Sequence, residues 1–271
     1  MTEVVEVFVP GHVTGLFSVH RADDPARTGS RGAGLTLSDG VTVRLEPADD
    51  RSVELDGRAT SVDPVDHVLD TLGVDAHVAA DSDLPVGSGF GVSGAMALGT
   101  AYAANTAFGC GRSDNALVRV AHEAEVSSGT GLGDVVAQAR GGAPIRLEPG
   151  APPHGRLDGI PETDRVEYLT FGGLSTEEVI TGSTDVLSAA GEKALDRLVE
   201  RPTLPRFVDA SRQFAREADL LTPDVERVLD DVEGASMAML GETVFALGTS
   251  LSEAGYDVET CEIHPAGATF R

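Results

Sequence analysis

The first third of the chain alternates apolar and polar residues with the two-residue period of β-strands. The opening strand is rich in β-branched residues and is predicted to close at Pro10 and Gly11, and a glycine-rich connection, "TGSRGAG", comes before the next strand. Helical spacing first appears at Asp63–Gly73, which has an acidic first turn and a terminal glycine. The predicted strands are "EVVEVFVP", "VTVRLEP", "SVELDG" and "DAHVAADSDLP".

Helical spacing then dominates the middle of the chain. An alanine-rich helix is predicted from Ser93, and a second helix is predicted at "SDNALVRVAHEAEV". A polar, glycine-rich turn leads to a third helix, "DVVAQAR", which two glycines end before the strand "APIRLEP".

A second succession of strands and helices follows the proline-rich segment 149–161. It begins with a strand at 164–171 and several helices as far as about residue 231. Two strands, "ASMAML" and "TVFALG", come next, and a short helix precedes the last strand. Strands followed by helical clusters, twice over, predict an α+β fold in two lobes, residues 1–150 and 151–271.

The charge of the chain restricts its partners. Its 44 acidic and 20 basic residues give a formal charge of −24, so we expect neither nucleic acid nor an anionic membrane to bind. Lys193 is the single lysine and tryptophan is absent, which favours a protein adapted to concentrated salt. The N-terminal sequence shows no signal peptide, and Cys110 and Cys261 lie far apart, so a cytoplasmic protein with reduced cysteines is expected. A homodimer is the assembly hypothesis.

The stretch "LPVGSGFGVSGAMALG" is the first candidate for chemistry. Gly89, Gly91 and Gly94 satisfy G-x-G-x-x-G, but the second strand of a dinucleotide-binding unit is missing after the helix. The stretch also lacks the lysine of a Walker loop. A loop that wraps phosphates at the start of the Ser93 helix remains, with a tight turn needed only for packing as the alternative.

A second candidate is "AHEAEVSSGTGLGDVVAQARGG". Glu123 and Glu125 lie near the end of one predicted helix, and Asp134 opens the next one across a short glycine-rich turn. Such a bend can direct two carboxylates into one cleft, where one holds Mg²⁺ and the other serves a hydroxyl. The alternative is that Asp134 is a helix cap and that the glutamates are solvated.

These two motifs together resemble those of the GHMP kinases, named after galactokinase, homoserine kinase, mevalonate kinase and phosphomevalonate kinase. "PVGSGFGVSGA" is similar to the family's P-x-x-x-G-L-G-S-S-A, although Val92 and Gly94 depart from it. The resemblance implies a GHMP-like two-lobed fold with mixed sheets packed against helices. It also implies that Ser93 is a magnesium ligand, that Asp134 is catalytic and that ATP is bound. The implied ATP-binding residues are Pro85, Gly87, Ser88, Gly89, Gly91, Val92, Ser93 and Gly94.

Within that superfamily the chain resembles the archaeal pantoate kinase family over nearly its whole length. The similar segments are "VPGHVTGLF", "TGSRGAG" and "GASMAMLGETVFALG". His12 stands where the superfamily usually has the lysine of P-G-K. The resemblance implies Mg²⁺- and ATP-dependent phosphorylation of the primary hydroxyl of (R)-pantoate, on the way to coenzyme A.

Helix geometry selects between the two glutamates. Glu125 flanks the apolar stripe of its helix on the side of Val118, whereas Glu123 flanks it beside Arg119, so Glu125 is the predicted magnesium carboxylate. The stripe consists of Leu117, Val120, Ala121 and Ala124.

The substrate carboxylate calls for a fixed fork of donors. Arg146, just after the helix that Asp134 begins, is the predicted partner, with Arg21 and Arg31 as alternatives. Ser30 is a predicted donor to substrate.

His122 could contact substrate or could be an exposed helical histidine. Three rival functions remain open: a sister kinase acting on homoserine, shikimate or mevalonate, a dinucleotide-dependent oxidoreductase, and a degenerate nucleotide-binding module.

Overall fold

The computed structural model describes residues 4–173, 184–239 and 241–271. Within these ranges twelve strands form two sheets that pack against helices, which confirms the predicted α+β class. The strands are β1 (Val5–His20), β2 (Gly29–Pro47), β3 (Ser52–Leu55), β4 (Arg58–Ala59), β5 (Ala76–Ser82), β6 (Ala143–Glu148), β7 (Arg156–Ile160), β8 (Arg165–Gly173), β9 (Ala235–Ala238), β10 (Gly241–Leu247), β11 (Glu259–Glu262) and β12 (Thr269–Phe270). The helices are α1 (Asp63–Leu72), α2 (Val92–Ala107), α3 (Asp114–Ser128), α4 (Asp134–Arg140), α5 (Asp185–Glu200), α6 (Leu204–Glu217), α7 (Pro223–Asp231) and α8 (Ser250–Glu253).

The long antiparallel pair β1 and β2 forms the centre of the first sheet, whose strand order is β12-β1-β2-β5-β3-β4. Two predictions are wrong here, because β1 runs on past Pro10 and Gly11, and the glycine-rich "TGSRGAG" lies mostly inside β2. A register shift between Pro10 and Gly11 accommodates the missing N–H of proline. A Cβ at Gly32 would overlap the carbonyl oxygen of Leu16, so the glycine allows the two strands to approach closely.

Helix α2 packs against the middle of this sheet and is buried along most of its length. Its side chains are small, and a Cβ at Gly99 would overlap Val43 of β2. This close approach places the start of α2 next to α4, where the Nε2 amide of Gln138 donates to the carbonyl oxygen of Gly91 at 2.9 Å. The two predicted motifs are thus adjacent in space.

The second sheet has the order β11-β8-β10-β9. Helix α6 packs against both β9 and β1, and α5 packs against α6 and β1, where a Cβ at Gly191 of α5 would overlap the backbone of Phe17. Strands β7 and β12, which follow residue 150, pair with strands of the first sheet. The division of the chain at residue 150 stays a prediction.

The predicted strand "ASMAML" is β9 with Met239 following it, and its final residue, Leu240, lies outside the described residues. In the part of the chain that the structure describes, no helix combines the length and the apolar character needed to cross a membrane.

Candidate active site

A cleft of about 340 Å³ opens where the glycine-rich loop before α2 faces the turn between α3 and α4. The loop contributes residues between Val86 and Ser93, and the turn contributes residues 129–134. Strands β1, β2 and β6 provide the remaining wall together with Met239. Both motifs found in the sequence therefore line one cavity.

The loop is built from glycines in the left-handed region of backbone space. Gly87, Gly89 and Gly91 have φ values of 78°, 85° and 67°, which residues with a Cβ rarely adopt. Gly91 is the N-cap of α2, and no side chain caps that helix. The first backbone N–H groups of α2 lack helical partners, so the loop and the helix start offer donors and a positive dipole end to an anion.

Asp134 lies in the first turn of α4, where the predicted alternative role as a helix cap is wrong because Gly133 is the N-cap. Its Oδ1 is 2.7 Å from Nδ1 of His12, which comes from β1, 122 residues earlier. Burial raises the pKa of Asp134, but the hydrogen bond from His12 and the charge of Arg146 outweigh it, so the pKa lies below its ordinary value. Asp134 is an ionised, oriented carboxylate.

His12 is fully buried and its Nε2 has no hydrogen-bond partner among the described residues. A Cβ at Gly34 would overlap this nitrogen, so the ring fits against a glycine of β2. Burial lowers the pKa of His12 further than the contact with Asp134 raises it. The ring is therefore neutral, and it donates the Nδ1 proton to Asp134.

Arg146 is the largest buried side chain of the described residues, with 1% of its surface exposed. Its Nε donates to Ser30 Oγ at 3.2 Å, while its Nη1 is buried without a partner. Burial lowers the pKa of Arg146 to about 10, which leaves a cation at neutral pH. A desolvated cation with an unused donor in a cleft is a strong site for a carboxylate.

Glu125 is 2% exposed, in agreement with the helix-face argument, whereas the carboxylate of Glu123 is partly exposed and pairs with Arg119 at 2.7 Å. Burial raises the pKa of Glu125 to about 7, although hydrogen bonds from Ser93 and Thr130 lower it. A carboxylate held in this way gains stability from a nearby cation.

The residues present fit magnesium only if substrate phosphates supply its other ligands. Among the residues that the structure describes, no three His, Cys, Asp or Glu side chains come together as a metal cage. Mg²⁺ is commonly bound by one or two carboxylates plus substrate phosphates. Glu125 and Ser93, which lie close together beside the glycine loop, match that donor set.

The structure brings most of the predicted site residues together. Ser30, Asp134 and Arg146 line the cleft with the loop residues Gly87, Gly89, Gly91, Val92 and Ser93. Pro85, Ser88 and Gly94 belong to the same loop and helix start but do not line the cleft.

His122, Arg21 and Arg31 do not line the cleft. His122 is buried rather than exposed, and its Nε2 lies 2.8 Å from the backbone oxygen of Thr28, so it reaches the start of β2 and not the cleft. Arg31 is engaged by the carboxylate of Glu192, and neither it nor Arg21 lines the cleft.

Sequence reasoning missed the role of His12 and the cleft positions of Thr14, Phe17 and Met239. The unusual histidine after Pro-Gly was visible, but no local spacing links it to Asp134. Thr14 and Phe17 lie in β1, whereas Met239 comes far later in the chain, and its N–H donates to the carbonyl oxygen of Thr14 at 2.8 Å.

Comparison with known proteins agrees with this geometry. The chain is 33% identical over 251 residues to a pantoate kinase of Methanocaldococcus jannaschii, covering 89% of this chain and 92% of that protein. It is 35% identical over 265 residues to a pantoate kinase of Thermococcus kodakarensis, covering 90% and 87%. A solved phosphotransferase related to the CoA biosynthesis pathway superimposes with a TM-score of 0.88 at 29% identity, over 99% of both chains. Residues 62–142 match the GHMP kinases N terminal domain. The chain belongs to the pantoate kinase family of the GHMP kinases.

Proposed function

We propose that this enzyme transfers the terminal phosphoryl group of ATP to the primary hydroxyl of (R)-pantoate. The observation that carries the proposal is that the buried, partly unsatisfied Arg146 and the ionised Asp134 line one cleft beside a glycine loop. Pantoate has a carboxylate for the first residue and a hydroxyl for the second. The relatives named pantoate kinase support the same substrate.

ATP phosphates would lie on the backbone donors of the glycine loop and the start of α2. Gly87, Gly89 and Gly91 let the chain wrap closely around oxygens because no side chain intervenes. Ser93 and Glu125 would hold Mg²⁺ against the phosphates, where the ion supplies charge neutralisation. The two residues lie close enough for the Ser93 hydroxyl to lower the pKa of Glu125.

Asp134 would orient the pantoate hydroxyl for attack and accept its proton. His12 occupies Oδ1 with its Nδ1 proton, so Oδ2 is the oxygen left for substrate. Phosphoryl transfer passes through a loose transition state, so orientation and charge placement contribute more than proton abstraction. His12 fixes the carboxylate without adding charge, and Arg146 supplies the positive charge.

Arg146 would hold the pantoate carboxylate, assisted by Ser30. The Ser30 hydroxyl accepts from Arg146 Nε and lies 3.4 Å from the carbonyl oxygen of Leu132. This contact fixes the plane of the guanidinium and leaves its outer nitrogens for substrate. A fixed guanidinium fork loses little entropy when a carboxylate binds.

ADP release with a panel of hydroxy acids tests the function. Pantoate, homoserine, shikimate and mevalonate would be compared with ATP and Mg²⁺ at high KCl, with Asp134→Asn as the impaired control. We expect pantoate to be preferred, and a roughly 10²-fold or greater loss of kcat in the variant. Preference for another acid would assign a sister kinase activity. Calorimetry showing NAD binding without ATP binding would overturn the kinase assignment.

The remaining expectations about assembly and location stay predictions. They are a homodimer, a cytoplasmic location, and no nucleic acid or membrane partner.

A further inference from the structure

One row of residues crosses three strands at the floor of the cleft. Phe17 of β1 lies opposite Gly32 of β2, and Gly32 lies opposite Arg146 of β6. Residues directly opposite one another in a sheet share a face, and neighbouring strands are about 4.8 Å apart. Phe17 and Arg146 therefore face the same cleft about 10 Å apart, and Gly32 places no side chain between them.

The Phe17 side of this row is apolar and fixed. The ring of Phe17 packs edge-on against Phe214 at 5.7 Å between centroids, so it cannot swing away freely. Met239 also lines the cleft, with 2% of its surface exposed, and its backbone N–H is tied to Thr14 of β1. Leu132 completes the apolar wall next to Ser30.

The site thus has a cation, Arg146, at one end, the carboxylate of Asp134, and an apolar wall. Binding of a substrate carboxylate by Arg146 and of a hydroxyl by Asp134 does not require this wall. We propose that Phe17, Met239 and Leu132 recognise the two methyl groups on the quaternary carbon of pantoate. This inference rests on the proposed function and adds the reason for its selectivity. An unbranched hydroxy acid satisfies Arg146 and Asp134 equally well but leaves the wall uncovered.

The expected selectivity follows from burial of two methyl groups. One methyl or methylene in an apolar pocket changes kcat/KM by about 10- to 200-fold. Pantoate should therefore exceed (R)-2,4-dihydroxybutanoate, which differs only by the two methyls, by about 10²-fold or more in kcat/KM.

The test compares these two acids in the wild-type enzyme and three variants. Met239→Ala should lower the preference for pantoate about 10-fold by reducing kcat/KM for pantoate alone. Phe17→Leu, which keeps an apolar side chain, should also lower the preference for pantoate. Met237→Ala is the matched control, since Met237 is equally buried two residues earlier but does not line the cleft. It should reduce the melting temperature and leave the preference unchanged.

Three results would contradict the inference. A wild-type preference for pantoate below about 5-fold would show that the apolar wall does not recognise the methyl groups. The proposed pantoate kinase activity would not be contradicted by that result. Equal loss of preference in Met239→Ala and Met237→Ala would reduce the wall to general packing. Turnover of neither acid would overturn the proposed function and this inference with it.

Discussion

Replacing His12 by alanine removes the donor that holds the carboxylate of Asp134. The bond is 2.7 Å long and its donor is fully buried, so no water can take over its role without entering the core. Hydrogen bonds to charged groups contribute about 1.5–3 kcal/mol. If this energy is used only to orient the reacting group, kcat should fall by about 10- to 150-fold, at 1.36 kcal/mol per factor of ten.

The loss should be confined to the chemical step. Arg146 and Ser30 are untouched by the substitution, so the KM for pantoate should change less than about 3-fold. His12→Asn keeps an N–H close to the position of Nδ1 and should recover part of kcat. Steady-state kinetics of the three proteins, with melting temperatures measured alongside, separate this effect from simple destabilisation.

The pH profile gives an independent readout. The hydrogen bond from His12 lowers the pKa of Asp134 against the effect of burial, so in the alanine variant the pKa should rise. A base works only when ionised, and the acid limb of kcat/KM should therefore move to higher pH. Arg146 also lowers this pKa and limits the movement. An unshifted acid limb with normal kcat would refute the positioning role.

Three other predictions concern the remaining parts of the site and the surface. Arg146→Ala should raise the KM for pantoate by about 10- to 150-fold with a smaller change in kcat, and Arg146→Lys should rescue only part because an ammonium lacks the fork; an unchanged KM would move the carboxylate contact to another residue. The pKa of Glu125 is raised to about 7, so the folded protein loses stability as pH rises from about 4.5 to 7. Glu125→Gln should therefore stabilise the ligand-free protein at pH 8 by about 3 kcal/mol but not at pH 4. The same variant should lose Mg²⁺-dependent activity. Urea unfolding at both pH values checks this, and equal stability at pH 8 would contradict it. The melting temperature should keep rising above about 1 M KCl, where screening is already saturated, and a plateau there would show that charge repulsion alone is relieved.

Local features of the sequence were sufficient for the glycine loop and the helices that flank it. Gly91 and Gly129 lie at helix ends in left-handed conformations. The glycine residues themselves are sufficient to indicate these conformations, without any distant partner. The burial of Glu125 also follows from the sequence, because the buried face of a helix follows from its periodicity. Its role as a magnesium ligand in place of Glu123 stays a prediction.

Features that depend on distant partners could not be predicted in the same way. The residue pattern predicts breaks at Pro10, Gly11 and the glycines near Gly32, but pairing with a neighbouring strand carries β1 and β2 through them. The bond between His12 and Asp134 spans 122 residues, and no local period encodes it. The sequence predicts His122 at the substrate or the surface, and its buried contact with Thr28 depends on how α3 lies against the segment that precedes β2.

The identity of the phosphorylated product tests directly whether this enzyme phosphorylates pantoate. Wild-type protein would be incubated with ATP, Mg²⁺ and (R)-pantoate at high KCl, and the product analysed by phosphorus NMR and mass spectrometry. We predict one new phosphomonoester on the primary hydroxyl, formed in equal amount to ADP and formed about 10²-fold or more slowly with Asp134→Asn. ADP formation without a pantoate ester, or phosphate on another oxygen of pantoate, would contradict the account.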